Sequence, residues 1–144
     1  AEVELEESDF TSLPDYNRLI ASVSGTMRLA HGANGREKLV LPRSTVYAFD
    51  GGIQTHCVGK ARDLNLMLRK GAAEGELVFV DSGTELDLEP DANETMLLFE
   101  LESGNAALCA GGNARLRCTA NGQCALFTVR LVGEAIPDSD NRNG

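Results

Sequence analysis

The chain contains no tryptophan, and five Phe and two Tyr are its only aromatic residues, so it offers few ring faces on which nucleobases could stack. Its cations are outnumbered as well: 13 Lys and Arg stand against 22 Asp and Glu, a formal net charge of −9. Binding to a phosphate backbone or an anionic bilayer draws on clustered Lys and Arg, so nucleic acid and membrane are both excluded as expected partners. The acids concentrate near Glu2 to Asp9 and Glu85 to Glu94, and most of the cations lie in the first half, which leaves room for a locally basic cleft.

Histidine is nearly absent. His31 and His56 are the only two, and neither sits in an H-x-H or H-E-x-x-H setting, so a His-rich metal centre cannot be assembled. A mixed site of His56, Cys57 and Asp63 would need neighbours on one strand to face the same way, which the period of two forbids without a bulge. The expectation is no metal and no cofactor. Cys57, Cys109, Cys118 and Cys124 form no C-x-x-C pair, and their number is far from disulfide density, so free thiols in a reducing compartment are expected. No apolar run approaches the roughly 18 residues of a membrane span, and no signal-like opening is present, which predicts a cytoplasmic protein.

What the chain does have is alternation. Short apolar and polar residues alternate through about a dozen segments, punctuated every eight to twelve residues or so by Gly-rich turns, the pattern of an antiparallel sandwich or barrel. The predicted strands are 2–6, 18–24, 26–31, 37–41, 44–49, 55–59, 62–68, 76–81, 84–88, 95–101, 106–110, 114–119 and 123–132. Helical periodicity is almost absent. The segment Gly71-Ala-Ala-Glu-Gly75 divides two halves of similar rhythm: 1–71, 72–133 and a short tail, 134–144, that lacks apolar pattern and is expected to be flexible.

Polar and reactive side chains crowd the stretch from Tyr47 to Gly71. Asp50, His56, Asp63, Asn65 and Arg69 fall there, and Arg18 opens an earlier strand where a barrel mouth could turn it inward. On the strand 62–68, alternation puts Asp63, Asn65, Met67 and Arg69 on one face, a mixed surface able to donate, accept and fork a carboxylate. An ion-pair network closing a barrel end would use the same residues. As a base, His56 would need an orienting carboxylate, for which Asp63 is the candidate in an isomerase or hydrolase reading.

Three stretches, Phe10-Thr-Ser-Leu-Pro-Asp-Tyr-Asn-Arg-Leu-Ile-Ala-Ser-Val-Ser-Gly-Thr-Met-Arg-Leu29, Phe49-Asp-Gly-Gly-Ile-Gln-Thr-His-Cys57 and Arg62-Asp-Leu-Asn-Leu-Met-Leu-Arg69, resemble the HutD/Ves family in order and spacing. The last is the most specific of the three, and the second half of the chain matches weakly. The family's opening Pro-Trp-Lys-Asn-Gly-Gly type segment has no counterpart from Ala1 onward, so the first half is expected to lack its upstream strands. The resemblance implies an all-β bicupin: two small cupin-like antiparallel β-barrels of jelly-roll type, fused and without metal-binding histidines. It also implies a role beside histidine catabolism, as a regulator or sensor of an acylated glutamate or urocanate. Both are small carboxylates, and the expected binding residues are Arg18, Asp50, His56, Asp63, Asn65 and Arg69. Two other classes stay open, the His56-dependent enzyme and an interaction module that forms a homodimer through a sheet edge.

Overall fold

A computed structural model describes residues 2–3, 7–112 and 114–132. Among them there is no helix, and hence none long and apolar enough to cross a membrane. Fourteen strands are present: β1 (Glu2–Val3), β2 (Glu7–Phe10), β3 (Tyr16–Ser24), β4 (Met27–His31), β5 (Glu37–Leu41), β6 (Val46–Asp50), β7 (Thr55–Val58), β8 (Ala61–Arg69), β9 (Ala73–Val80), β10 (Glu85–Leu88), β11 (Glu94–Glu100), β12 (Ala106–Ala110), β13 (Leu116–Thr119) and β14 (Cys124–Leu131). All pair antiparallel within their sheets. The chain divides into two compact units, Ala1–Arg69 and Lys70–Gly144.

The first unit holds two four-stranded sheets, in the orders β1-β8-β3-β6 and β2-β7-β4-β5. Their inward residues follow the period of two. Ile20, Met27, Leu29, Leu41, Phe49, Cys57 and Ala61 form one buried cluster, flanked by Phe10, Leu39 and Tyr47. The second unit holds a sheet in the order β12-β11-β14-β9 and the pair β10-β13, around Val80, Leu88, Leu98, Ala120 and Cys124. Among the described residues no sheet closes on itself, so two hydrogen-bonded barrels are not what the ladders form.

Most predicted strands lie within two or three residues of those observed. The exception is β2, which Glu-Ser-Asp-Phe does not advertise, because Asp and Ser are poor strand formers. The pairing of Ser8 with Cys57 and of Phe10 with Thr55 makes it a strand, a tertiary override of local preference. Of the strand expected over 2–6, β1 is the described part. The expected flexible tail, 134–144, lies outside the described residues.

One feature of the first unit fixes the end of its interior that carries Arg18. The loop 11–15 and the turn Asp50-Gly51-Gly52 interlock: Leu13 N donates to Gly51 O at 2.6 Å, Gly51 N to Tyr16 O at 2.8 Å, and Ser12 Oγ to Gly52 O at 3.2 Å. Gly52 N in turn donates to Asp50 Oδ1 at 2.8 Å, an Asx-type turn that fixes the hairpin end. A Cβ on Gly51 would lie 2.7 Å from the carbonyl oxygens of Leu13 and Tyr16 and 3.3 Å from Arg18 Cδ. Backbone blocks it on one side and the buried arginine stem on the other. Gly51→Ala is therefore expected to cost about 1–3 kcal/mol, as overpacking does. Urea unfolding checks this, with Gly71→Ala as a control whose Cβ would meet nothing within 4 Å and whose cost comes only from its φ of 77°.

Candidate functional site

The interior of the first unit is polar at one end, and register explains why. Arg18 on β3 lies opposite Phe49 on β6 and Met67 on β8; one step along, Ile20 lies opposite Tyr47 and Asn65; further on, Ser22 lies opposite Asp63. On the facing sheet His31 lies opposite Thr55, which pairs with Phe10. Residues directly opposite one another share a face. Arg18, Asp63, Asn65, Tyr47, Phe49, His31, Thr55 and Phe10 therefore all belong to inward-facing rows.

Arg18 is 5% exposed. Its guanidinium carbon sits 4.9 Å from the Phe10 ring centre and 5.5 Å from that of Phe49, so the cation is held between two π faces. Its Nη1 donates to Thr11 O at 3.4 Å. Burial pulls its pKa down and the Asp63 carboxylate pushes it back up. An arginine in such a place remains charged. Burial raises the Asp63 pKa, opposed by a hydrogen bond from Asn65 and the charge of Arg18. Two buried polar atoms here have no partner: Arg18 Nε, a donor, and Asn65 Oδ1, an acceptor.

His31 joins the two sheets. Its Nδ1 lies 2.8 Å from Thr55 Oγ1 and its Nε2 lies 2.7 Å from Tyr47 Oη. The Thr55 hydroxyl donates to Ile53 O at 3.1 Å, so it accepts from His31 Nδ1–H, and Nε2 is left to accept from Tyr47. This is a directional chain through a neutral imidazole. Its rings pack closely as well, with His31–Phe49 centroids 5.1 Å apart and Tyr47–Phe49 centroids 5.4 Å apart. Burial lowers the His31 pKa and raises that of Tyr47, both favouring the uncharged forms the chain requires.

Of the six residues predicted from sequence, the structure brings Arg18, Asp63 and Asn65 together. Asp50 is at the edge of this group and serves the turn. Arg69 is exposed at the end of β8, opposite Tyr16, because the row Asp63, Asn65, Met67, Arg69 runs from the interior out into solvent. His56 points the other way: its Nδ1 lies 2.7 Å from Asp9 Oδ1 and its Nε2 lies 3.8 Å from Glu7 Oε1, so Asp9, not Asp63, is its carboxylate partner. Sequence reasoning passed over His31, Tyr47, Thr55, Phe10 and Phe49. The available signal was His31 continuing the inward alternation of Met27 and Leu29.

Cys57 is fully buried, and burial with the nearby Asp63 charge pushes its thiol up to about 11, so it is no thiolate nucleophile at neutral pH. Among the described residues no group of three His, Cys, Asp or Glu is placed to hold a metal. The arrangement offers recognition chemistry instead: a desolvated cation, an unpaired acceptor and a hydrogen-bonded wall.

A family model described as HutD matches residues 1–130. HutD from Pseudomonas fluorescens SBW25, determined in a formate condition, superposes with a TM-score of 0.70 at 24% identity, over 89% of this chain and 75% of that one. A conserved protein of unknown function from Pseudomonas aeruginosa PAO1 gives 0.67 at 27% identity, over 90% and 79%. No curated protein matches the chain.

The two histidines should titrate on opposite sides of the free value of about 6.5. His56, held by Asp9 first and by the nearby Glu7, has its pKa raised; that contribution is full below about 6.5 and fades as pH climbs through the folded value. His31 is lowered, so its contribution is full above about 6.5 and fades as pH falls towards the folded value. In an NMR titration, Asp9→Asn is expected to bring His56 down towards the free value and leave His31 unmoved.

Proposed function

The chain belongs to the HutD family, and from that premise we propose that it is a bicupin which binds a small carboxylate metabolite without metal, in the first unit, as a sensor within histidine utilisation. The cytoplasm is the compartment this role requires. The observation that carries the reading is the pair of unpartnered buried atoms, Arg18 Nε and Asn65 Oδ1. Leaving such groups unsatisfied costs on the order of 1–3 kcal/mol each, so a site that keeps them has a use for them.

Their polarity specifies the complement. Arg18 Nε–H calls for an anionic oxygen, and with the rest of the guanidinium it presents a fork suited to a carboxylate. Asn65 Oδ1 calls for an N–H close to that carboxylate. Formylglutamate supplies a carboxylate and an amide N–H; urocanate supplies a carboxylate and an imidazole N–H. Asp63 lies near enough for its charge to act on Arg18, and burial raises its own pKa. The rings of Phe10 and Phe49 keep the cation dry, which strengthens each contact it makes.

Binding rather than turnover is favoured because His56, the residue an isomerase or hydrolase would use, lies on the outward face beside Asp9. Calorimetry with formylglutamate and urocanate, followed by product analysis, tests the proposal. Heat with unchanged ligand is the expected result. Arg18→Lys, which keeps the charge and loses the fork, should weaken binding by about 10- to 100-fold, the worth of a charged hydrogen bond of roughly 1.5–3 kcal/mol. Asn65→Val should weaken it with little change in melting temperature. If neither ligand produces heat and both variants alter only stability, the buried cluster is architecture.

A further inference from the structure

The outward face of the β2-β7-β4-β5 sheet takes no part in the interior site. Register arranges its side chains in two cross-strand rows, Glu7, Val58, Arg28, Val40 and Asp9, His56, Ala30, Lys38. Each row opens with a carboxylate on β2 and carries a cation on β4 or β5. Glu7, Asp9, Arg28 and Lys38 are exposed, as is Val40 at 53%. A depression of about 420 Å³ lies over the middle of these rows, floored by aliphatic side chains and reached by Arg28, Lys38 and His56. Among the described residues, neither Arg28 nor Lys38 has an ion-pair partner.

The surface is thus acidic along the β2 edge and basic towards β5, with Val58 and Ala30 between and Val40 on the far strand. Such a face complements itself under one symmetry operation. A two-fold axis lying between facing sheets and parallel to the strands sets β2 of one copy over β5 of the other, and β7 over β4. Asp9 then meets Lys38 of the second copy, Glu7 lies over its Val40 and one strand from its Arg28, and Val58 and Ala30 lie at the centre, over its Arg28 and His56. A two-fold axis across the strands would set β2 on β2, acid against acid.

We infer that this face binds a second copy of the same chain, face to face, with the two-fold axis along the strands. A free anion is the poorer occupant, because Glu7 and Asp9 flank His56 and repel it. Four strands spaced about 4.8 Å apart make a patch of roughly 300 Å² per copy, well under the approximately 800 Å² of a standard stable interface. The association is therefore weak and sensitive to salt.

Sedimentation velocity over a range of concentrations in low salt tests this, with circular dichroism to verify folding. The unaltered chain is expected to self-associate reversibly and to become monomeric in high salt. Asp9→Lys and Lys38→Asp, each alone, should lose association by tenfold or more, since each sets like charges against one another. An equimolar mixture of the two variants should regain it, because the mixed pair restores both contacts. A chain that stays monomeric throughout gives the face to an unlike partner or to solvent and overturns the inference. So does self-association that survives both reversals, which would place the contact elsewhere, such as at a sheet edge.

Discussion

A cation buried between two rings constrains the first unit more than any other interaction. Taking a guanidinium out of water is costly unless its surroundings replace the lost hydration. Around Arg18 the replacement comes from four separate places in the chain: Phe10 on β2, Thr11 in the following loop, Phe49 on β6 and Asp63 on β8. Each fixes its own element. The interlocked loops at 11–15 and 50–52 can be read as the lid of this arrangement, with Gly51 the residue that lets backbone lie against the arginine stem. A sequence that put Phe at 10 and 49, Gly at 51 and Asp at 63 without Arg at 18 would have gathered these groups around nothing.

Some of this structure is announced by the residues and some is concealed by them. Alternation and Gly turns are local, so nearly all strands are legible in the sequence, and Arg18, Asp63 and Asn65 stand out because polar groups are anomalous in an otherwise apolar rhythm. β2 was hidden because its strand character comes from its neighbour β7. His56 and Arg69 misled for a different reason: parity along a strand says which residues share a face, but not which face is inside or where the interior ends. The chain from Tyr47 through His31 to Thr55 crosses between sheets, and no spacing rule links residues brought together only by sheet-on-sheet packing.

The second unit is built on the same antiparallel principles with different contents. Its core is aliphatic with Cys124 and Cys118 among the packing side chains. A cavity of about 240 Å³ there is lined chiefly by small and aliphatic groups, with Glu100 the one carboxylate on it among the described residues. Among the described residues its arginines form ion pairs at the surface: Arg115 forks Asp87 at 2.8 and 2.7 Å, Arg117 lies 3.7 Å from Asp87, and Arg130 lies 3.3 Å from both Glu74 and Glu94. Arg18 is thus buried among rings in the first unit, whereas Arg115 and Arg130 of the second are held by carboxylates at its surface.

The cysteine on β7 carries a practical consequence. Cys57 is sealed beneath β2, across from Ser8 on one side and Leu29 on the other, and its sulfur stays protonated at neutral pH. A thiol reagent can reach it only when the sheet parts, and the most economical parting is the detachment of the four-residue edge strand whose own sequence has so little inclination to be one. The rate of its alkylation would therefore clock how often that edge peels away, an internal stopwatch for breathing at the very strand that supplies Phe10 to the arginine.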